Sequence, residues 1–80
     1  MITAFILLTV KAGTDQKTIE KLRKYGEVKN VYEIYGAYDI LARIEADSEE
    51  KIRKIQLDLE KDENVWSAQI VRVMSVWKKS

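Results

Sequence analysis

The chain has 80 residues, 46% hydrophobic and 34% charged, and contains no histidine, cysteine or proline. A single domain of this size (residues 1–80) withdraws little surface from water, and it has no disulfide, thiolate or histidine metal site to staple it, so self-association is the expected source of extra stability. Fourteen basic residues against 13 acidic ones give a net charge of +1, which lacks the basic excess of a nucleic-acid module and predicts no direct contact with DNA or RNA.

Residues 2–10, ITAFILLTV, are rich in β-branched and aromatic side chains and predict a first strand. The run is far shorter than the ~20 apolar residues of a membrane span. No basic segment precedes it and no small-residue cleavage site follows. No membrane partner is expected, and the cytoplasm is the expected location. Lys11-Ala12-Gly13 breaks the strand. Thr14 or Asp15 then caps a helix by accepting free N–H groups of its first turn. Ile19, Leu22 and Tyr25 form its apolar stripe. Gly26 is expected to end it in the left-handed conformation.

Residues 28–35 read as a second strand, Gly36 and Ala37 as a turn, and residues 39–46 as a third strand. Asp47 with Glu50 fits a capping box for a second helix, with Ile52, Ile55 and Leu59 as its buried stripe. A polar loop over 61–64 leads to a long last strand over 65–77, and Lys78-Lys79-Ser80 forms a solvated tail.

The order β-α-β-β-α-β predicts an α+β, ferredoxin-like fold with a four-stranded antiparallel sheet and both helices on one face. The other face should then read polar if the chain were solitary. It does not. Ile2, Ala4, Ile6 and Leu8 point one way while Phe5 and Leu7 point the other. Ile40, Ala42 and Ile44 share a face opposite Leu41, and Ala68, Ile70 and Met74 are expected to oppose Val65, Val71 and Val73. Copies are therefore expected to dimerise sheet face to sheet face, as in dimeric α-β barrels. Several hundred Å² of buried apolar surface at roughly 25 cal/mol per Å² stabilises such a dimer by several kcal/mol.

The most distinctive stretch is Tyr32–Leu41, YEIYGAYDIL. Gly36 can adopt positive φ, and Asp39 can bond a nearby backbone N–H, so a tight turn alone accounts for much of it. The same groups also meet the needs of an amino-acid zwitterion: free N–H groups around Gly36 for a carboxylate, Asp39 for an ammonium, tyrosines as walls. On that reading Asp39 matters more for an effector than for folding. The pattern VYEIYGAYDILARIEA, set between a strand and helix before it and a helix and long strand after it, resembles the RAM domain, the ligand-sensing module of the Lrp/AsnC (leucine-responsive/asparagine regulator) transcription factors. The specific part is Val31, Gly36, Tyr38 and Asp39 in the spacing Val-x-x-x-x-Gly-x-Tyr-Asp.

The resemblance covers nearly the whole chain. It implies face-to-face sheet dimers, rings of dimers, and amino-acid effectors held where dimers meet, with Gly36, Ala37, Tyr38 and Asp39 in contact. It also marks departures. The usual Thr-x-Thr pair of the last strand is matched by Ala68 and Ile70, and Tyr35 stands where threonine often precedes the glycine. The candidate ligand-binding set is therefore Tyr35, Gly36, Ala37, Tyr38, Asp39, Ala68 and Ile70. Family regulators carry an N-terminal helix-turn-helix, whereas this sequence opens on the first strand and so resembles the stand-alone form.

Other constellations carry less. Glu49-Glu50 and Asp62-Glu63 read as solvated helix ends and loops. Gly13-Thr14 lacks the following Lys-Ser/Thr of a P-loop. Trp66 and Trp77 read as interface anchors. Small oxygenases and isomerases of the same barrel type tend to use histidine, which is missing, so no enzyme activity, catalytic residue, metal or cofactor is expected. The reading is a prokaryotic effector-sensing and oligomerisation module, homodimeric or a ring of dimers, that co-assembles with full Lrp/AsnC regulators. A purely structural interaction module and an ACT-type regulatory subunit of a metabolic enzyme are the alternatives. Abundant Lys and Glu suit a heat-adapted source.

Overall fold

In the computed structural model, which describes residues 1–79, the elements run β1 (Ile2–Val10), α1 (Asp15–Arg23), β2 (Val28–Glu33), β3 (Ile40–Ala46), α2 (Glu49–Glu60) and β4 (Val65–Arg72). Ser80 of the expected tail lies outside the described residues. The order is the expected ferredoxin-like one. The sheet is four-stranded with spatial order β2-β3-β1-β4, and every pairing is antiparallel.

Alternation on the central strands builds the core. Ala4, Ile6, Leu8 and Val10 of β1 and Ile40, Ala42, Ile44 and Ala46 of β3 are buried under the helices. Leu22 of α1 and Ile52, Ile55 and Leu59 of α2 close the layer from above. Thr18, beside the expected stripe, is also buried, and its hydroxyl donates back to the Thr14 carbonyl at 3.3 Å. That bond lets a polar side chain sit in the layer without an orphan donor.

Several boundaries differ from the sequence expectation. Thr14 is the N-cap of α1, but its hydroxyl donates to the Lys11 carbonyl at 2.6 Å rather than accepting from the helix. Gly26 is not left-handed. The helix closes on a right-handed Lys24, with Lys24 and Tyr25 N–H groups bonding Lys21 and Leu22 carbonyls. Such tightened bonds satisfy the last carbonyls without glycine. The cap of α2 is Ser48, which accepts from the Lys51 N–H at 3.3 Å, so the Asp47–Glu50 box is out of register by one residue. Asp47 instead pairs with Lys51 Nζ at 3.0 Å on the exposed surface.

The last strand corrects two expectations. Thr9 pairs with Ser67 but Val10 pairs with Val65, so Trp66 is bulged out of the ladder. The extra residue turns Val65 onto the same buried face as Ala68, rather than opposite it. The strand also ends at Arg72, short of Trp77. Arg72 pairs with Ala4, close to the start of β1, and Val73 adds only one long bond, 3.4 Å to the Thr3 carbonyl. Met74 and the described residues after it lie outside any strand.

The two helices are tied together at the surface by Tyr25, whose hydroxyl donates to the Asp58 carboxylate on α2. Burial, and then the hydrogen bond to the anionic Asp58, hold the phenol proton well above its ordinary range. The folded chain therefore keeps this proton at alkaline pH while the unfolded chain loses it near pH 10, the unperturbed value. The contribution is complete below that pH and is lost as pH rises above it. In urea titrations at pH 8 and pH 11, Tyr25→Phe should lose less stability between the two than the native chain does. Equal losses would mean that Tyr25 takes no part in the alkaline transition.

Candidate functional site

Between β2 and β3 the chain makes a loop over Ile34–Asp39. Gly36 has φ +126°, a conformation that side chains rarely adopt. Space is not the reason for glycine here, because an added Cβ would meet nothing within 4 Å. The loop is pinned to the sheet at its far end. Ile34 N–H donates to the Asp39 carbonyl at 3.0 Å, Asp39 N–H to the Leu8 carbonyl at 2.8 Å, and Val10 N–H to Asp39 Oδ2 at 2.9 Å. Asp39 thus fastens the end of β1, the backbone-bonding use of the carboxylate that the plain-turn reading expects.

The candidate residues separate into groups. Tyr35, Gly36 and Ala37 are exposed, with Tyr35 projecting entirely into solvent. Tyr38 and Asp39 are half-buried, and the Tyr38 hydroxyl crosses to β4, donating to Gln69 Oε1 at 2.6 Å. Ala68 and Ile70 face the helices instead. Ala68 is buried and its carbonyl accepts from Gln56 of α2 at 2.8 Å, while Ile70 packs against the core. One chain therefore brings Tyr35 through Asp39 together and keeps Ala68 and Ile70 on the other side of the sheet.

The residues of β4 that share a face with Tyr38 are Ser67 and Gln69, which the sequence-based candidate set omits. Their polar alternation with Ala68 and Ile70 in SAQI is the signal that identifies them. Beside the loop, an open cleft of about 500 Å³ runs toward the start of α1, lined by Gly13, Asp15, Glu33, Tyr35 and Asp39. Its three carboxylates suit a cationic group, and its open side leaves room for a further wall. Among the described residues no cluster of His, Cys, Asp and Glu is placed to hold a metal ion.

The sheet face away from the helices is half apolar. Phe5, Leu7 and Leu41 are partly exposed, with Val71 beside Phe5, and Tyr32 and Trp66 (70% exposed) flank them. Several polar side chains of this face are paired within the chain. Thr9 Oγ1 bonds Ser67 Oγ at 2.6 Å, Tyr38 bonds Gln69, and Arg43 reaches both Asn30 Oδ1, at 2.7 Å, and Glu45. Paired polar groups can be covered at far lower cost than unpaired ones. No helix among the described residues is long and apolar enough to cross a membrane.

A half-apolar sheet face beside a glycine loop, with helices only on the opposite face, defines a ferredoxin-like domain with one open face. The chain belongs to the family of the Lrp/AsnC ligand-binding domain, whose model matches residues 3–80. It is similar to the HTH-type transcriptional regulator FL11 of Pyrococcus furiosus, 34% identical over 79 residues, covering 99% of this chain and 52% of that protein. It thus spans about half the length of that regulator. Hypothetical protein PHS023 of Pyrococcus horikoshii has the same fold, with a TM-score of 0.83 and 28% identity over 95% of this chain and 93% of its own. The transcriptional regulator NMB0573 of Neisseria meningitidis, solved as a complex with L-Met, shares the fold with a TM-score of 0.83 at 23% identity, covering 99% of this chain and 53% of that one.

Proposed function

We propose that this domain is an effector-binding and oligomerisation module of Lrp/AsnC-type transcriptional regulation, acting in the cytoplasm by assembly and not by catalysis. Copies pair through their open sheet faces, and pairs assemble further into rings. An amino acid is held at the Tyr35–Asp39 loop where subunits meet, and the domain modulates full-length regulators by co-assembling with them through the same fold. The open face carries this reading. Its apolar centre has no cover within the chain, and the pairs Thr9–Ser67, Tyr38–Gln69 and Arg43–Asn30 are already bonded, so a second copy can cover them without orphaning those groups. Family membership and the L-Met complex of a protein with this fold support a small zwitterion as the effector class. The acidic cleft supplies acceptors for its ammonium, and the exposed Tyr35 supplies a wall that a neighbouring subunit completes.

One observation favours a purely structural interaction module instead. The Asp39 carboxylate is occupied by the Val10 N–H, and Ala68 and Ile70 offer no hydroxyl to a ligand. A thermal-shift screen against the twenty amino acids at millimolar concentration separates the two. An effector present at about a hundred times its Kd stabilises the folded state by about 2.7 kcal/mol, several degrees in a domain of this size. A melting point unmoved by all twenty leaves the scaffold reading. Affinity capture from source cells should recover a helix-turn-helix regulator, and recovery of a biosynthetic enzyme alone would point to a metabolic regulatory subunit.

A further inference from the structure

Past β4 the chain runs on through Val73, Met74, Ser75, Val76 and Trp77 with its apolar side chains in water: Met74 is 94% exposed and Trp77 92%. Isolated surface apolars are ordinary, but several consecutive ones on one segment mark a contact surface. The segment contains neither glycine nor proline, and Val73 and Val76 are β-branched. Such a stretch favours extended backbone and lacks the residues that reverse a chain tightly. It therefore leads away from its own sheet rather than back over it. The molecule's longest extent is 40 Å, whereas the nine residues of β1 span only about 30 Å. The indole N–H of Trp77 is already bonded to Ser75 Oγ at 3.1 Å, so that side chain can be buried without an orphan donor.

We propose that residues 73–77 of one chain lie across the open sheet face of a second copy, with Met74, Val76 and Trp77 covering the patch formed by Phe5, Leu7 and Leu41. The inference rests on the face-to-face pairing proposed above and extends it to the segment that each partner exchanges. Arm and face match in chemistry. Both are apolar, so their union buries hydrocarbon, and the side-chain pairs Thr9–Ser67, Tyr38–Gln69 and Trp77–Ser75 enter it already bonded. The arm also accounts for a chain that exposes large apolar side chains on two surfaces at once.

The test uses the fact that the chain has only two tryptophans. Trp66→Tyr leaves Trp77 as the sole indole and keeps an aromatic side chain on the face. Its fluorescence is followed on dilution, in parallel with mass from light scattering. The expected result is a blue-shifted emission, protected from acrylamide, in the dimer and a water-exposed emission in the monomer. A second variant leaves Trp66 in place and replaces Met74, Val76 and Trp77 with serine. It should raise the dimer Kd at least tenfold with circular dichroism unchanged. A dimer of undiminished affinity, with Trp77 exposed throughout, overturns the arm and leaves the face pairing standing. Protection that persists in the monomer assigns the arm to its own sheet and overturns the exchange. A native chain that is monomeric at every concentration removes the pairing and the arm together.

Discussion

Leu7→Asp should yield a folded monomer at concentrations where the native chain is a dimer. Leu7 sits near the centre of the open face, opposite Leu41 on β3 and Gln69 on β4, and is partly exposed in the single chain. A carboxylate there remains in water when the chain is alone, so folding should survive with a modest loss. In the dimer it would be desolvated twice, once from each copy. At about 2 kcal/mol per unpaired polar group the two sites together cost about 4 kcal/mol, close to a thousandfold in Kd. The neighbouring residue is the control. Ile6 is fully buried under the helices, so Ile6→Ala should cost about 2–5 kcal/mol in every assembly state. For a small domain that approaches the whole margin of stability. Light scattering and urea unfolding at two protein concentrations separate the two effects. If Leu7→Asp keeps the native mass, the open face is not where copies meet.

Asp39→Ala should destabilise the fold, while Asp39→Asn should largely preserve it. The Asp39 carboxylate accepts from the half-buried Val10 N–H at 2.9 Å. Alanine leaves that donor without a partner, at about 1–3 kcal/mol. It also frees the end of β1 beside the bulge at Trp66. Asparagine offers a carbonyl oxygen of the same reach and removes only the charge. The two substitutions therefore separate the structural and binding uses of one side chain. If an amino acid is bound through its ammonium, the Asp39→Asn variant should fold like the native chain and bind it at least tenfold more weakly. Alanine and asparagine variants of equal stability would show that the bond to Val10 contributes nothing.

The turn illustrates how a motif can be legible while its partners are not. Positive φ at Gly36 is expected from the sequence, and the structure has it. Asp39 is expected to accept a backbone N–H, and it does, but from Val10, which lies 29 residues away. Nothing local identifies that donor, because it comes from the strand that β3 happens to pair with. Tyr38 and Gln69 are likewise joined across β1 only in the assembled sheet. The alternative face for Ala68 and Ile70 follows from the same pairing.

By itself the sequence determined the order and kind of the elements, which side chains of β1 and of β3 share a face, and the buried stripe of α2. These rest on periodicity and local propensity, which need no knowledge of neighbours in space. Its cap assignment for α2 slipped by one residue, because Asp47 and Ser48 are both competent caps and their places depend on where the chain leaves β3. Only the tertiary structure decided the face of Val65 and the end of β4. A bulge is a mismatch between two strands, so Trp66 is displaced by its pairing with Thr9 and Val10 and not by its own neighbours. A strand lasts only while a partner accompanies it. Residues 65–77 have strand propensity throughout, yet the ladder stops at Arg72, opposite Ala4, with only Ile2 and Thr3 of β1 beyond it.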